Sequence, residues 1–313
     1  MSDHASRVAA AMADSKLQTI GSMHPGPRPS LRQETERLDA LVFEHISVSP
    51  IGATIGAEIG GVDLAKLDDA TFAEIRRAWL AYKVVFFRDQ AIGAEEQIAF
   101  ALRFGELEAH PFLDAHADHE QIVRFEKGEE FSGYENLWHS DVSWREIPAL
   151  GAVLRAIEVP ERGGDTLFGD MVAAYEGLDD DLKEAIDGLH AIHDFTHTFG
   201  RILDEESLAE RRKQFPPARH PVVRTHPETG RKILYVNPIF VSHIEDIEPE
   251  ESQRLLDVLC RQAAVPEYQC RFRWRNGSVA FWDNRATQHY AASDYWPQRR
   301  VMERVAIIGD RPH

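Results

Sequence analysis

Cysteine is almost absent from this 313-residue sequence, which contains only Cys260 and Cys270. Two cysteines are too few for a disulfide framework or a thiolate metal site, so we expect two inert thiols in a reducing compartment. No run of 18 apolar residues occurs, which excludes an obvious membrane-spanning helix. The apolar patch at residues 8–13 is interrupted soon after by Asp14 and Lys16 and lacks a cleavage site, so the sequence predicts a cytoplasmic protein.

Basic residues are in the minority: 35 Lys and Arg stand against 52 Asp and Glu, and the formal net charge is −17. Nucleic acids and anionic membranes require clustered positive charge, so this balance argues against both as partners. It leaves room for a small anionic substrate, because two or three buried arginines can bind one. The signatures GxGxxG and GxxxxGK[ST] are also missing, which argues against a nucleotide site.

The first 43 residues differ in composition from the rest. Residues 25–29 read Pro-Gly-Pro-Arg-Pro, which cannot continue a helix. We therefore predict an N-terminal extension at residues 1–43, of a flexible kind, and one folded domain at residues 44–313.

The folded part combines many short strands with intervening helices. Helices are predicted at 72–81, 95–104, 171–176, 180–189 and 250–264. Strands are predicted at 84–87, 122–125, 138–144, 152–157, 220–225, 233–236, 279–282 and 301–308. Short strands at irregular spacing, with helices beside them, favour a double-sheet barrel with packing helices.

The clearest chemical signal is the segment Leu-Trp-His-Ser-Asp-Val-Ser-Trp at residues 137–144. On a strand, His139 and Asp141 point to one face. One imidazole and one carboxylate form two thirds of the 2-His-1-carboxylate set, which leaves three positions of an octahedral Fe(II) open. A surface pair is the alternative, since a second His-x-Asp, His116 with Asp118, lies in what we interpret as a solvated loop.

A third ligand must come from a distant segment. His289 follows an apolar strand and a polar loop, which suits a ligand that faces a distant strand across a barrel. A structural histidine is the alternative at this position.

Two arginines on the last predicted strand indicate anion binding. Arg300 and Arg304 share one strand face, roughly 13 Å apart, which suits two separate anions. Guanidinium groups bind carboxylate or sulfonate in a bidentate manner, although two solvated arginines are the alternative. Thr166 follows the Gly163-Gly164 turn, where it either offers a hydroxyl to an anion or only begins a strand.

Together these segments resemble the TauD/TfdA family of Fe(II)- and 2-oxoglutarate-dependent dioxygenases, and within it the taurine dioxygenases. The resemblance runs from about residue 46 to the C-terminus. It rests on segments in the expected order: 84–90, 104–107, 138–142, 163–167, 220–227, 282–289 and 297–300.

The resemblance implies a mainly β protein with added helices, an α+β fold around a double-stranded β-helix (a jelly-roll, cupin-like core). It implies that residues 44–313 form the dioxygenase domain and that the protein is a homodimer or homotetramer. The implied site residues are grouped by role: Fe(II) on His139, Asp141 and His289; 2-oxoglutarate on Thr166 and Arg300; the sulfonate on His110 and Arg304; and aromatic contacts from Phe199 and Phe240.

The implied reaction consumes dioxygen and 2-oxoglutarate and hydroxylates the carbon next to sulfur in an organosulfonate such as taurine. Sulfite, an aldehyde, succinate and CO₂ are released. A protonated His110 is expected to favour the sulfonate. Leu113 and Glu135 depart from the taurine pattern, which has Tyr and Asn there. Leu113 makes the pocket more apolar, and Glu135 either pairs with an ammonium group or faces away.

Three alternatives remain open at this point. The first is the same chemistry on an alkyl sulfate or an aryloxyacetate-type carboxylate. The second is a jelly-roll protein with Zn(II) or no redox metal, since zinc also accepts two histidines and a carboxylate. The carboxylate clamp at Arg300 and Thr166 argues against it. The third is a binding protein without catalytic activity.

Overall fold

Sheets and helices alternate through the part of the chain that the structure, a computed structural model, describes: residues 27–313 except positions 114, 132 and 134. The helices are α1 Pro29–Asp39, α2 Asp69–Tyr82, α3 Ala94–Leu102, α4 Met171–Glu176, α5 Asp180–Ile186, α6 Glu205–Gln214 and α7 Pro249–Cys260. The strands are β1 Ser47–Pro50, β2 Ala57–Gly60, β3 Val84–Phe87, β4 Leu107–Glu108, β5 Ala115–His116, β6 His119–Lys127, β7 Ala149–Glu158, β8 Thr166–Asp170, β9 His190–His193, β10 Ala218–Pro221, β11 Val223–Thr225, β12 Lys232–Leu234, β13 Val241–Ile244, β14 Gln269–Phe272, β15 Val279–Asp283, β16 Thr287–Ala291 and β17 Arg300–Ile308.

The largest sheet brings together strands from both ends of the sequence. Its order is β1-β2-β3-β15-β7-β17-β6-β5, with β4 added beside β17. Three smaller sheets have the orders β14-β8-β16, β10-β9-β13 and β11-β12. Because β15 and β17 lie between strands from the first half of the chain, the C-terminal residues face segments that precede them by more than a hundred positions.

Strand β3 shows how the layers pack. All four of its residues are buried, because both faces of the strand are covered. On one face, Phe86 stacks on Phe272 of β14, with ring centroids 3.9 Å apart, so the sheet β14-β8-β16 packs against the large sheet. On the other face, Val85 and Phe87 join a core formed with α2 and α3. The continuous apolar run is therefore the signature of a strand between two layers.

Helix α2 has clear signals at both ends. The Asp68 carboxylate accepts a hydrogen bond from the Thr71 amide at 2.7 Å, which caps its N-terminus. Its C-terminal residue is followed by Lys83 in the left-handed conformation, with φ of 66°. The helix lies across the large sheet, where Trp79 stacks on Phe281.

Helix α1 lies inside the segment predicted as an extension. Its Glu34 and Leu38 are buried, and Glu34 accepts hydrogen bonds from Arg37 at 2.8 and 2.9 Å and from Arg231 at 2.6 Å. The buried Lys83 ammonium lies 3.5 Å from Glu34 and 3.0 Å from Asp170. The first 26 residues lie outside the described part, so the division at residue 43 stays a prediction.

Most predicted elements are confirmed with small shifts of their ends. The strand predicted at 138–144 is wrong: only His139 forms a β-bridge, and a turn follows it. Val142, with φ of 46°, marks the point where the chain leaves the extended conformation. The loop predicted around His116 and Asp118 is instead a short hairpin between β5 and β6. The mixed architecture with mostly sheets agrees with the predicted mainly β class. Among the described helices, none combines the length and apolar character needed to cross a lipid bilayer.

Candidate active site

Two histidines from distant parts of the chain are joined through their own peptide groups. His139 and His289 form an antiparallel bridge in which each amide donates to the other carbonyl, at 3.1 and 2.8 Å. Their rings lie 4.2 Å apart. Since Nδ1 of His139 donates to the Leu137 carbonyl at 2.8 Å, its Nε2 carries a free lone pair. This is the arrangement in which a second hydrogen bond orients a metal-binding imidazole.

Asp141 is held by the side-chain amide of Asn284. The Asp141 amide donates to Asn284 Oδ1 at 2.7 Å, and Asn284 Nδ2 donates to the Asp141 carbonyl at 2.9 Å. The same Nδ2 reaches the Ala149 carbonyl at 3.1 Å, which ties the turn to the start of β7. This clamp replaces the strand geometry predicted from the sequence, and it still directs Asp141 toward the histidines.

The three side chains form a cluster suited to a metal ion. One ligand atom from each of His139, Asp141 and His289 lies within 4.8 Å of the others. Asp141 Oδ1 lies 3.9 Å from Nε2 of each histidine, and its Oδ2 is buried with no hydrogen-bond partner in the described part of the chain. A buried carboxylate oxygen without a partner is costly. The donor set of two imidazoles and one carboxylate therefore fits a divalent metal with open positions.

Electrostatics keeps the cluster in the ionisation state that metal binding needs. Burial alone raises the pKa of a carboxyl group, but the charges of Arg304 and the neighbouring histidines outweigh it and hold the pKa of Asp141 at about 2. Burial, together with the proximity of His139, lowers the pKa of His289 to about 3. The site thus presents an anionic carboxylate and a neutral His289 imidazole at neutral pH.

The cluster opens into a cavity between the large sheet and the sheet β14-β8-β16. Its volume of about 140 Å³ is enough for on the order of ten water molecules, which matches a small-molecule site. The lining includes every residue that the sequence predicted for the site: His110, Leu113, Glu135, His139, Asp141, Thr166, Phe199, Phe240, His289, Arg300 and Arg304.

One end of the cavity carries the buried guanidinium of Arg300. Its Nε has no partner among the described residues, and burial lowers the pKa of the group from its usual value. The ring of Tyr295 lies 5.7 Å from the guanidinium carbon. Gly164, at φ of 70°, lets the chain pass close by, since a Cβ there would lie 3.2 Å from Arg300. A buried cation of this kind favours an anionic ligand.

Arg304 and His110 stand near the metal cluster. Arg304 Nη1 donates to Asp141 Oδ1 at 2.7 Å, and Nε of Arg304 lacks a partner within the described ranges. Burial, with the charge of Arg304, lowers the pKa of His110 to about 3, so the protonated form expected from the sequence does not hold in this state. The Phe112 amide donates to Nδ1 of His110 at 3.2 Å, which leaves the ring proton on Nε2. A neutral His110 can still donate one hydrogen bond.

The remaining walls are largely apolar. Leu113, Phe199 and Phe240 contribute to them, and the rings of Phe199 and Phe240 stack with centroids 6.4 Å apart. Glu135 forms an ion pair with Lys127 at 3.1 Å. Because a cation already neutralises Glu135, its carboxylate is a poor receptor for a second ammonium group.

Sequence reasoning missed several contributors, among them Asn284, Lys127 and Trp274. Asn284 lies in the segment 282–289, which contributes to the family resemblance, but its contact with Asp141 spans 143 positions and no local pattern shows it. Lys127 was recognisable only from alternation with Phe125 along β6, both of which line the cavity. Trp274, which donates to Thr166 Oγ1 at 2.9 Å, left no signal in the sequence that pointed to the site.

Comparisons with known proteins agree with this geometry. The family model for "Taurine catabolism dioxygenase TauD, TfdA family" matches residues 47–306. An alpha-ketoglutarate-dependent sulfate ester dioxygenase of Pseudomonas putida is 36% identical over 276 residues, which cover 85% of this chain and 91% of that protein. An (S)-phenoxypropionate/alpha-ketoglutarate-dioxygenase of Sphingobium herbicidovorans is 36% identical over 280 residues, or 84% of this chain and 95% of that one.

A solved structure shows the same fold. The crystal structure of a taurine dioxygenase from Burkholderia xenovorans superposes with a TM-score of 0.74 at 38% identity, covering 86% of this chain and 93% of that chain. The match to the family model spans well over half of the sequence. The chain therefore belongs to the TauD/TfdA family and is an alpha-ketoglutarate-dependent (2-oxoglutarate-dependent) dioxygenase.

Proposed function

We propose that this dioxygenase uses Fe(II) to hydroxylate the carbon next to sulfur in a small organosulfonate such as taurine. The hydroxylated product then collapses to an aldehyde and sulfite, while 2-oxoglutarate and dioxygen yield succinate and CO₂. One observation carries the proposal: the cavity has His139, Asp141 and His289 at its metal-binding point and two separate buried guanidinium groups on one strand. Arg300 matches the anionic co-substrate, and Arg304, whose Nη1 also donates to Asp141, matches the anionic substrate through its remaining N–H groups.

The metal position is assigned to His139, Asp141 and His289. Fe(II) bound there would supply dioxygen activation and the redox chemistry of the hydroxylation. The residues themselves supply two imidazoles and a single negative charge, and the peptide bridge and the Asn284 clamp fix their directions.

We also assign the double-stranded β-helix core to the large sheet packed on β14-β8-β16.

The far carboxylate of 2-oxoglutarate is assigned to Arg300 and Thr166. Arg300 offers a buried Nε that no described residue engages in a hydrogen bond, and Thr166 offers a hydroxyl in the same cavity. The bidentate fork of a guanidinium matches a carboxylate better than an ammonium does. This end of the cavity thereby orients the co-substrate with its other end toward the three ligands.

The sulfonate is assigned to Arg304 and His110. Arg304 keeps its Nε available while it contacts Asp141, and neutral His110 donates through Nε2. Phe199 and Phe240 shield the carbon chain and exclude water from this end of the cavity. These residues contribute to the reaction by positioning the substrate and by excluding water from it.

An alkyl sulfate is the second candidate substrate. The ion pair of Glu135 with Lys127 leaves little attraction for the ammonium group of taurine, and Leu113 adds apolar surface. The relative from Pseudomonas putida is named for sulfate esters. The same hydroxylation on an alkyl sulfate releases sulfate and an aldehyde.

The test is a product balance under controlled oxygen. Anaerobic protein is mixed with Fe(II), 2-oxoglutarate and either taurine or a short alkyl sulfate, and oxygen is then admitted. Equal, iron-dependent amounts of succinate and sulfite with taurine are expected for the first candidate. Equal succinate and sulfate with the alkyl sulfate would favour the second. Protein that binds Fe(II) but forms no succinate with either compound would contradict both.

A further inference from the structure

The indole N–H of Trp274, a residue outside the cavity lining, is hydrogen-bonded to the hydroxyl of Thr166. Trp274 Nε1 donates to Thr166 Oγ1 at 2.9 Å, and the two residues are only 4% and 3% exposed. Thr166 lines the cavity, whereas Trp274 does not. An influence of the Trp274 N–H on a ligand in this cavity therefore passes through Thr166.

Hydrogen-bond accounting fixes the role that the Thr166 hydroxyl can play. A hydroxyl has one proton and two lone pairs, whereas an indole N–H can only donate. Trp274 therefore occupies a lone pair of Oγ1, and no protein atom in the described ranges accepts the Thr166 proton. A buried donor without an acceptor is unfavourable, so the O–H is directed to a partner inside the cavity.

The surroundings of the pair restrict both groups. Trp274 packs edge-on against Phe272, with ring centroids 5.0 Å apart, at the end of β14. Thr166 opens β8, which pairs with β14 at Phe272. The pairing of β8 with β14 at Phe272 thus places Trp274, two residues past the end of β14, beside the Thr166 hydroxyl.

We propose that Trp274 is a positioning residue that turns Thr166 into a dedicated donor for the far carboxylate of 2-oxoglutarate. The inference rests on the proposed assignment of that carboxylate to Thr166 and Arg300. It assigns to Trp274 an effect on co-substrate affinity and none on the sulfur substrate.

The experiment measures 2-oxoglutarate binding to anaerobic, Fe(II)-loaded protein, together with steady-state kinetics. Trp274→Phe keeps an aromatic ring against Phe272 but removes the N–H. We expect the dissociation constant and KM for 2-oxoglutarate to rise about three- to tenfold, the range for one lost hydrogen bond, with kcat nearly unchanged. Trp274→His, which retains a ring N–H, should recover part of the affinity.

A double-mutant cycle separates this role from simple packing. In a Thr166→Val background, Trp274→Phe should have no further effect on 2-oxoglutarate affinity, because the hydroxyl that it positions is gone. The matched control is Trp79→Phe, since the Trp79 indole is also buried and its N–H has no hydrogen-bond partner among the described residues. This control should leave co-substrate affinity unchanged.

The outcomes are distinguishable. Wild-type protein that binds Fe(II) but not 2-oxoglutarate would overturn the proposed co-substrate assignment, and this inference with it. Wild-type binding with an unaffected Trp274→Phe variant would overturn the role of Trp274 alone. Additive effects of the Trp274 and Thr166 substitutions would also overturn it, since they would show independent packing.

Discussion

At the scale of single residues, the candidate metal cluster of His139, Asp141 and His289 depends on side chains outside the cluster. Asn284 is 1% exposed and holds Asp141 through both its backbone amide and its backbone carbonyl. Such outer partners orient ligands and tune affinity. The direction of Asp141 therefore comes from an amide clamp, and the extended backbone that the His-x-Asp spacing predicted is absent.

Replacement of Asn284 by alanine should weaken metal binding. We expect the Fe(II) dissociation constant to rise about tenfold or more, as for other lost partners of metal ligands. Anaerobic competition with a chelator measures the change. Asn276→Ala is the control, since the Asn276 side chain accepts from the Val159 amide on a loop that does not line the cavity. Unchanged Fe(II) affinity in Asn284→Ala would contradict the role of the clamp.

At the scale of elements, the two faces of strand β17 have different surroundings. Arg300, Met302 and Arg304 line the cavity, while Val305 and Ile307 enter the core on the other face. The alternation predicted from the sequence is therefore confirmed. It places the two guanidinium groups on one rigid element, each facing a different part of the cavity.

This separation predicts that the two arginines can be uncoupled. Arg300→Lys should raise the KM for 2-oxoglutarate about tenfold, because a single ammonium cannot reproduce the guanidinium fork, and leave the KM for the sulfur substrate nearly unchanged. Arg304→Lys should do the opposite. Steady-state kinetics with each substrate varied in turn measures both effects.

The control for this pair lies on the same strand. Glu303 points to the opposite face, where it binds Arg124 at 2.7 Å and Arg155 at 2.5 Å. Glu303→Gln should lower thermal stability without changing either KM. Equal changes of both KM values in either arginine variant would show that the two anions share one site.

Much of the fold and part of the candidate site could be predicted from the sequence. Buried runs such as 84–87 and the helix after Asp68 carry local signals, and their elements are confirmed. His139 and Asp141 were recognisable from spacing, whereas His289 was a candidate from its place after an apolar strand and a polar loop, and the family resemblance assigned it. Trp274 could not be predicted, because its bond to Thr166 spans 108 positions. What local patterns miss is which distant side chain completes a hydrogen bond.

At the scale of the whole molecule, helix α1 is fastened to the domain through Glu34. Its contacts with Arg37, Lys83 and Arg231 join the helix to two other parts of the chain. Burial alone would raise the pKa of Glu34, but the hydrogen bond from Arg37 and the positive charges outweigh it and lower the pKa from 4.5 to about 2.

The oligomeric state and the cytoplasmic location stay predictions.

The lowered pKa has a consequence for stability against pH. A carboxyl group whose pKa falls on folding stabilises the native state above its unfolded pKa, and this contribution is lost as the pH falls through the folded value. The difference in melting temperature between wild type and Glu34→Gln should therefore be largest near neutral pH and shrink between pH 4.5 and 2. Thermal denaturation across this range measures it.

Helix α1 also provides the control. Glu36 pairs with Arg32 at 2.8 Å, and both side chains are largely exposed. Glu36→Gln should change stability little at any pH, because exposed pairs contribute about 0–1 kcal/mol. A Glu34→Gln difference that stays constant from pH 7 to pH 2 would show that the charge of Glu34 does not matter.

The peptide bridge between His139 and His289 bears on how such an enzyme can diversify. Almost half of the chain separates the two histidines, and that stretch includes Phe199 and Phe240. Because the bridge fixes the two histidines to each other directly, the segments outside the strands that carry Phe199 and Phe240 can accept exchanges without displacing them. Evolution, or a protein engineer, can therefore change this part of the cavity wall while the relative position of the two histidines is kept.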